Sequence, residues 1–146
     1  MSRRFIWVAV AVGTIVAAII AATVIFTRSG YDEPDDFIAD TYTRAPSLDQ
    51  PNNGRAYTAT HTPKAVADEI TAAVAALDRR TTNDHLIYLQ YRGHIIAISP
   101  HNRGTKILVD DYRTGHRRHS RHTSAFGWTA GSPGGDFRGG GSSDGK

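Results

Sequence analysis

The fold of this chain can be predicted outward from residues 85–110, HLIYLQYRGHIIAISPHNRGTKILVD. It contains three runs rich in β-branched and aromatic residues, which favour strands, at residues 85–91, 94–99 and 105–110. The first connection is only Arg92-Gly93, and the second is the turn-forming sequence at residues 101–104. Connections this short join neighbouring antiparallel strands, so the stretch predicts a three-stranded meander.

A helix that can cover this meander is predicted upstream of it. Thr62 can cap a helix that begins at Pro63, a residue well suited to the first helical position. Apolar residues then recur every three or four positions, at Val66, Ile70, Ala73, Val74 and Leu77. We therefore predict a helix over residues 63–79, with Arg79 and Arg80 near its C-terminal end, where positive charge suits the helix dipole.

Two shorter segments complete the predicted domain. Residues 37–45, FIADTYTRA, have apolar residues at helical spacing, and residues 55–60, RAYTAT, are rich in strand formers. The predicted fold class is α+β, with an N-terminal transmembrane helix, a small antiparallel sheet of three to four strands packed on one main helix, and a glycine-rich C-terminal tail. Both faces of the predicted strands carry apolar residues, so the sequence leaves open which face meets the helix.

The transmembrane helix is predicted from an uncharged run at residues 5–27. As a helix, residues 5–26 would span about 33 Å, against about 30 Å for the hydrocarbon core of a bilayer. Arg3 and Arg4 precede the run and acidic residues follow it, which places the N-terminus in the cytoplasm and the remaining chain outside it. A cleavable signal peptide is the alternative, but its apolar core is usually about 7–15 residues long and ends in small residues.

The sequence divides into five parts on this basis. They are a cytoplasmic N-terminus at residues 1–4, a transmembrane anchor at 5–27, an acidic linker at 28–36, a small extracytoplasmic domain at 37–112, and a basic and then glycine-rich tail at 113–146. Within the anchor, small residues recur at every fourth position, at Ala9, Gly13, Ala17 and Ala21. Such a stripe allows helices to approach closely, and it predicts a weak homodimer through the anchor.

The charge balance excludes one class of partner. The chain has 17 basic and 14 acidic residues, but Arg3, Arg4 and Arg28 flank the anchor, so the remaining chain has as many basic as acidic residues. Proteins that bind nucleic acids carry excess positive charge on the folded surface, so no nucleic-acid partner is predicted. The absence of cysteine excludes disulfides, thiolate zinc sites and a cysteine nucleophile, and no cofactor is predicted.

Several sequence pieces together resemble a known family. In order, they are FIADTYTRA, AYTATHTPKAVADEI, the paired strands around Arg92-Gly93, ILVDDYRTG and the closing FRGGGSSDGK. This order resembles domain of unknown function 4247, a family found mainly in actinobacteria, over residues 37–146. The resemblance implies a small extracytoplasmic domain that follows a membrane or secretion signal. It implies no catalytic residue.

The tail contains the residues that we predict to contact a partner. Arginine and aromatic residues often contribute most of the binding energy of an interface. The candidates are Arg113, Arg117, Arg118, Arg121, Phe126, Trp128 and Phe137. The predicted function is that of a single-pass protein of the cell membrane whose extracytoplasmic domain binds another protein or a component of the cell envelope.

Two alternatives invoke chemistry instead of binding alone. His116, His119 and His122 are spaced by three and could hold a metal ion, although the interleaved arginines would repel a divalent cation. A small hydrolase-like enzyme of the envelope could instead use His85, His94 or Asp111 in a pocket at the edge of the sheet.

Overall fold

The structure is a computed structural model that describes residues 30–131 and residue 133. The predicted anchor at residues 5–27 and the candidate contact residue Phe137 lie outside these residues. Within the described residues, no helix has both the length and the apolar character needed to cross a membrane. The predictions of an anchor and of its dimerisation therefore stay predictions.

The described chain contains six β-strands, four α-helices and one short 3-10 helix at Pro46–Leu48. The helices are α1 (Pro34–Thr41), α2 (Pro63–Ala73), α3 (Tyr112–Arg118) and α4 (Ser120–Ala125). The strands are β1 (Thr43–Arg44), β2 (Arg55–Ala59), β3 (Asp78–Thr81), β4 (Ile87–Gln90), β5 (His94–His101) and β6 (Gly104–Asp111).

The six strands form one sheet in the order β1-β2-β6-β5-β4-β3. Every neighbouring pair is antiparallel, so the predicted α+β class with an antiparallel sheet is confirmed. The predicted meander is β4, β5 and β6, and the predicted fourth strand is β2. The two edge strands of the sheet, β1 and β3, were not predicted. Each is short, and its backbone hydrogen bonds come only from the one strand beside it.

The predicted helix over residues 63–79 is shorter than expected. It begins at Pro63 with Thr62 as its cap, as predicted, but it ends at Ala73 because Val74 adopts an extended conformation. Arg79 and Arg80 belong to β3, and the Leu77 backbone N–H donates to the carbonyl of Gln90 at 2.8 Å. The residues after Ala73 therefore form backbone hydrogen bonds with the edge of β4 instead of continuing the helix that their propensity favours.

One face of the sheet packs against α1 and α2. Residues at alternate positions of the strands point to this face, because successive side chains of a strand lie on opposite sides. They form one core with the buried sides of both helices: Ile38, Tyr57, Val66, Ala67, Ile70, Ile87, Leu89, Tyr91, Ile96, Ile98, Ile107 and Val109.

The opposite face packs against α3, α4 and the segment that follows them. Its core contains Tyr88, Ile95, Tyr112 and Trp128, with Phe126 packed against it. These last three residues come from the stretch at and beyond residue 112, where the sequence showed no periodicity. The first part of the predicted tail is therefore folded and covers the second apolar face of the sheet.

Gly104 shows how closely two strands approach near the β5–β6 turn. A Cβ atom at this position would lie 2.1 Å from the carbonyl oxygen of Ala59, the last residue of β2. A contact this short with backbone requires the strands to separate, so only glycine fits here. A Cβ atom added to Gly93, in the β4–β5 turn, would have no other atom within 4 Å.

We predict that Gly104→Ala destabilises the domain by about 3 kcal/mol, because overpacking against backbone has no side chain that can rotate away. Gly93→Ala is the matched control, and its effect should lie within about 0.5 kcal/mol. Chemical unfolding of both variants measures the difference. Equal stability of the two variants would show that β2 and the β5–β6 turn do not approach as closely as described.

Candidate functional site

The helical segment formed by α3 and α4 has one buried and one exposed side. It is bent at His119, but hydrogen bonding continues through the bend, from the His119 N–H to the Gly115 carbonyl and from the Thr123 N–H to the His119 carbonyl, both at 2.9 Å. The buried side contacts the sheet directly. A Cβ atom on Gly115 would lie 2.8 Å from Cβ of Ile95, so this glycine allows the close approach.

The exposed side carries three of the predicted contact residues, Arg113, Arg117 and Arg121. They recur every four positions, so they lie on the same side of the helical segment. We call this surface the arginine face. None of the three forms an ion pair within the described part of the chain. Arg113 and Arg117, with Ala130, line a cavity of about 380 Å³.

Five other arginines of the described chain are engaged by carboxylates, whereas Arg92 and Arg103, in the hairpin turns, form no ion pair among the described residues. Arg44, Arg55, Arg79, Arg80 and Arg118 each pair with an aspartate. The arginine face therefore offers positive charge to an anion outside the domain, because no carboxylate in the described residues is close enough to neutralise it.

Arg118, a fourth predicted contact residue, lies on the inner side. Its Nε is 3.1 Å and 3.0 Å from the two carboxylate oxygens of Asp110, and its Nη2 also donates to the carbonyl of Pro51. Asp110 is completely buried. The prediction that Arg118 contacts a partner is not supported by this geometry, since its charge already serves to neutralise a buried carboxylate.

Trp128 is also buried, at 7% exposure, and packs edge-to-face against Phe126 with ring centroids 5.2 Å apart. Its indole Nε1 donates to Asp78 at 2.9 Å. Burial raises the pKa of Asp78, but hydrogen bonds from Trp128, Arg80 and the Arg79 backbone outweigh burial and hold the pKa below its ordinary value. At pH values above the ordinary titration range of aspartate, this carboxylate therefore stabilises the packing of Trp128. The contribution is lost as the pH falls and the carboxylate becomes protonated.

The three predicted metal-ligating histidines have separate surroundings. His116 Nε2 donates to the Trp128 carbonyl at 2.9 Å, and His119 Nε2 lies 3.5 Å from Asp110. His122 packs against Tyr88 and Phe126. Their ring nitrogens do not come within 4.8 Å of one another as a set, so metal binding by these three residues stays a prediction that requires a rearrangement of α3 and α4.

The residues of the alternative enzyme site are not gathered in one place. His94 and Asp111 are paired across β5 and β6, whereas His85 lines a cavity with Pro100, near the other end of β5. His94 instead faces α1, with its ring nitrogens 3.6 Å from Glu33 and 3.8 Å from Asp35.

Glu33, Asp35 and His94 form the one group of metal-ligating side chains found among the described residues. Their ligand atoms lie within 4.8 Å of one another, and His94 Nδ1 is buried without a hydrogen bond. Arg55 Nη2 lies 3.1 Å from Asp35 and already supplies a positive charge. We therefore interpret this cluster as an ion-pair network that attaches the start of α1 to β5.

A cluster that the sequence analysis missed lies on the α2 side of the sheet. Glu69 of α2 accepts a hydrogen bond from the hydroxyl of Tyr42 at 2.7 Å, and its other oxygen lies 2.9 Å from His61 Nδ1. The three side chains line a cavity of about 310 Å³ together with Thr41, Thr43, Thr58, Ala59 and Thr60. No motif marks this cluster, because its residues come from three segments that meet only when α2 packs on the sheet.

Comparison with known proteins identifies the family. The family model of a domain of unknown function, DUF4247, matches residues 19–142, which is most of the chain. The chain belongs to the DUF4247 family. The resemblance inferred from the sequence pieces is thereby confirmed. No curated protein and no solved structure matches the chain.

We predict that Arg118→Ala destabilises this DUF4247 domain by about 3 kcal/mol, because it leaves the buried Asp110 carboxylate without its main partner. Arg117→Ala removes the same side chain from the adjacent, exposed position and should change stability by less than about 0.5 kcal/mol. Thermal and chemical unfolding of the two variants measure this contrast. A small effect of Arg118→Ala would indicate that Asp110 is not held by this ion pair.

Proposed function

We propose that this DUF4247 protein is a single-pass membrane protein whose extracytoplasmic domain binds an anionic protein or polymer of the cell envelope through the arginine face. The single observation that supports this proposal is the placement of three exposed arginines, each without an ion pair in the described chain, at four-residue spacing on one side of α3 and α4. Arginine binds carboxylate and phosphate groups through paired hydrogen bonds, which lysine cannot reproduce.

The rigidity of the arginine face favours its use in recognition. Arg113 and Arg117 project from α3, and the other side of this helix is packed on β5 and β6. Because the backbone that carries the arginines is held in place, binding requires the ordering of side chains alone. The cavity beside Arg113 and Arg117 gives an anionic group a place to be contacted by both guanidinium groups.

Membrane anchorage rests on the sequence. The uncharged run at residues 5–27 has the length of a membrane span, and the basic residues before it favour a cytoplasmic N-terminus. This arrangement would hold the domain outside the cytoplasm. The actinobacterial origin implied by the resemblance is part of the same proposal.

We predict that reversing two charges, Arg113→Glu with Arg117→Glu, weakens partner binding about a hundredfold, because like charges brought together at an interface cost several kcal/mol. The partner is first identified by crosslinking the full-length protein in cells, and its affinity is then measured at low and high salt. Substitutions are preferable to truncation, because removing residues after 112 would uncover the second core.

The matched control is Arg92→Glu with Arg103→Glu, which makes the same change of charge in two exposed hairpin turns. This control should bind with nearly the affinity of the unchanged protein. Equal weakening by both double variants would mean that net charge, and not the arginine face, determines binding. Unchanged binding by the Arg113 and Arg117 variant would refute the proposed site.

We predict that the full-length protein stays in the membrane fraction after an alkaline wash, and that deletion of residues 5–27 abolishes this association. An uncleaved anchor should leave the mature mass equal to that of the whole chain. A mature protein shortened at its N-terminus would instead support the signal-peptide alternative.

The position of the domain is tested by adding protease to intact cells from which the wall has been removed. The protease should digest the domain if the domain lies outside the membrane.

A further inference from the structure

We propose that the cavity lined by Tyr42, His61 and Glu69 is a hydrolytic site for small uncharged esters, in which His61 acts as the general base. This site lies on the α2 side of the sheet, away from the arginine face, and the inference does not depend on the proposed binding function.

Hydrogen bonding determines which atom of the cluster is free to react. A carboxylate only accepts hydrogen bonds, so His61 Nδ1 carries a proton and donates it to Glu69. Burial, the hydrogen bond to Glu69 and the charge of Glu69 raise the pKa of Tyr42 far above its ordinary value, so the phenol remains a donor. Both oxygens of Glu69 are thereby engaged, and His61 Nε2 is the ring nitrogen left for a ligand.

The protein also holds the backbone of His61 in place. Thr105, which is 1% exposed, donates its hydroxyl hydrogen bond to the His61 carbonyl at 2.7 Å. The side chains of His61 and Glu69 are 60% and 39% exposed. Ion pairs this exposed contribute little to stability, whereas a carboxylate that orients an imidazole is the usual arrangement of a general base.

The cavity walls indicate the class of substrate. Four threonines, Thr41, Thr43, Thr58 and Thr60, line the cavity together with His61, and no lysine or arginine lines it. A negatively charged substrate would be repelled by Glu69 and would find no positive partner there. The volume of about 310 Å³ lies at the small end of ligand sites, so a small neutral molecule fits best.

The reaction balances with water as the only co-reactant. His61 Nε2 accepts a proton from water while the water oxygen forms a bond to the ester carbonyl carbon, and the carbonyl electron pair moves to its oxygen. Threonine hydroxyls are the donors available to that oxygen. The bond from the carbonyl carbon to the alkoxy oxygen then breaks, and His61 returns the proton to the alkoxide. The products are a carboxylic acid and an alcohol, and Glu69 stabilises the intermediate imidazolium.

The test uses hydrolysis of p-nitrophenyl acetate by the full-length protein in detergent micelles. The unchanged protein should hydrolyse the ester faster than buffer alone. His61→Asn should lower the rate about a hundredfold, which is the usual size of a general-base contribution. His101→Asn, which removes a histidine that forms no ion pair in the described chain, should leave the rate unchanged.

Glu69→Gln provides a second readout that a purely structural role would not change. Loss of the carboxylate removes the stabilisation of the imidazolium that forms when His61 accepts the proton, so kcat should fall while KM stays nearly the same. Circular dichroism confirms that each variant is folded. The proposal is overturned if folded His61→Asn hydrolyses the ester as fast as the unchanged protein, or if that protein does not exceed the buffer rate. A negative result in the ester assay does not bear on the arginine face, because that proposal is tested by measuring partner affinity.

Discussion

The central hairpin of β5 and β6 carries apolar side chains on both of its faces, and both faces must be removed from water. Ile96 and Val109 point to one side, and Ile95 and Leu108 point to the other. A single helix can cover only one side of such a sheet. The domain therefore requires two helical layers, and the second layer comes from residues that follow β6 directly.

This requirement also determines where charge is placed. Arg117 and Arg118 are adjacent in the chain but lie about 100° apart around a helix, so one faces solvent and the other faces the sheet. Arg118 neutralises the buried Asp110, whereas Asp78 is paired with Arg80 and also accepts a hydrogen bond from the indole of Trp128. The arginines on the outer side, Arg113, Arg117 and Arg121, form no ion pair among the described residues.

The two sites that we propose use different layers of one rigid sheet. The arginine face belongs to α3 and α4, while the cavity around His61 is closed by α2 on the other side. Each site depends on the sheet for its geometry, through Gly115 against Ile95 in one case and Thr105 against His61 in the other. Substitutions in one layer can thus be tested for effects on one activity at a time.

The meander, the start of α2 at Pro63 and the membership of the DUF4247 family were predictable from sequence, because turns, caps and alternation are local signals. Tertiary structure decided the end of α2, the edge strands and the folding of the segment after Tyr112. Those features depend on hydrogen bonds and apolar contacts between residues far apart in the chain. For the same reason, only the folded structure separates the exposed Arg117 from the half-buried Arg118 and brings Tyr42, His61 and Glu69 together.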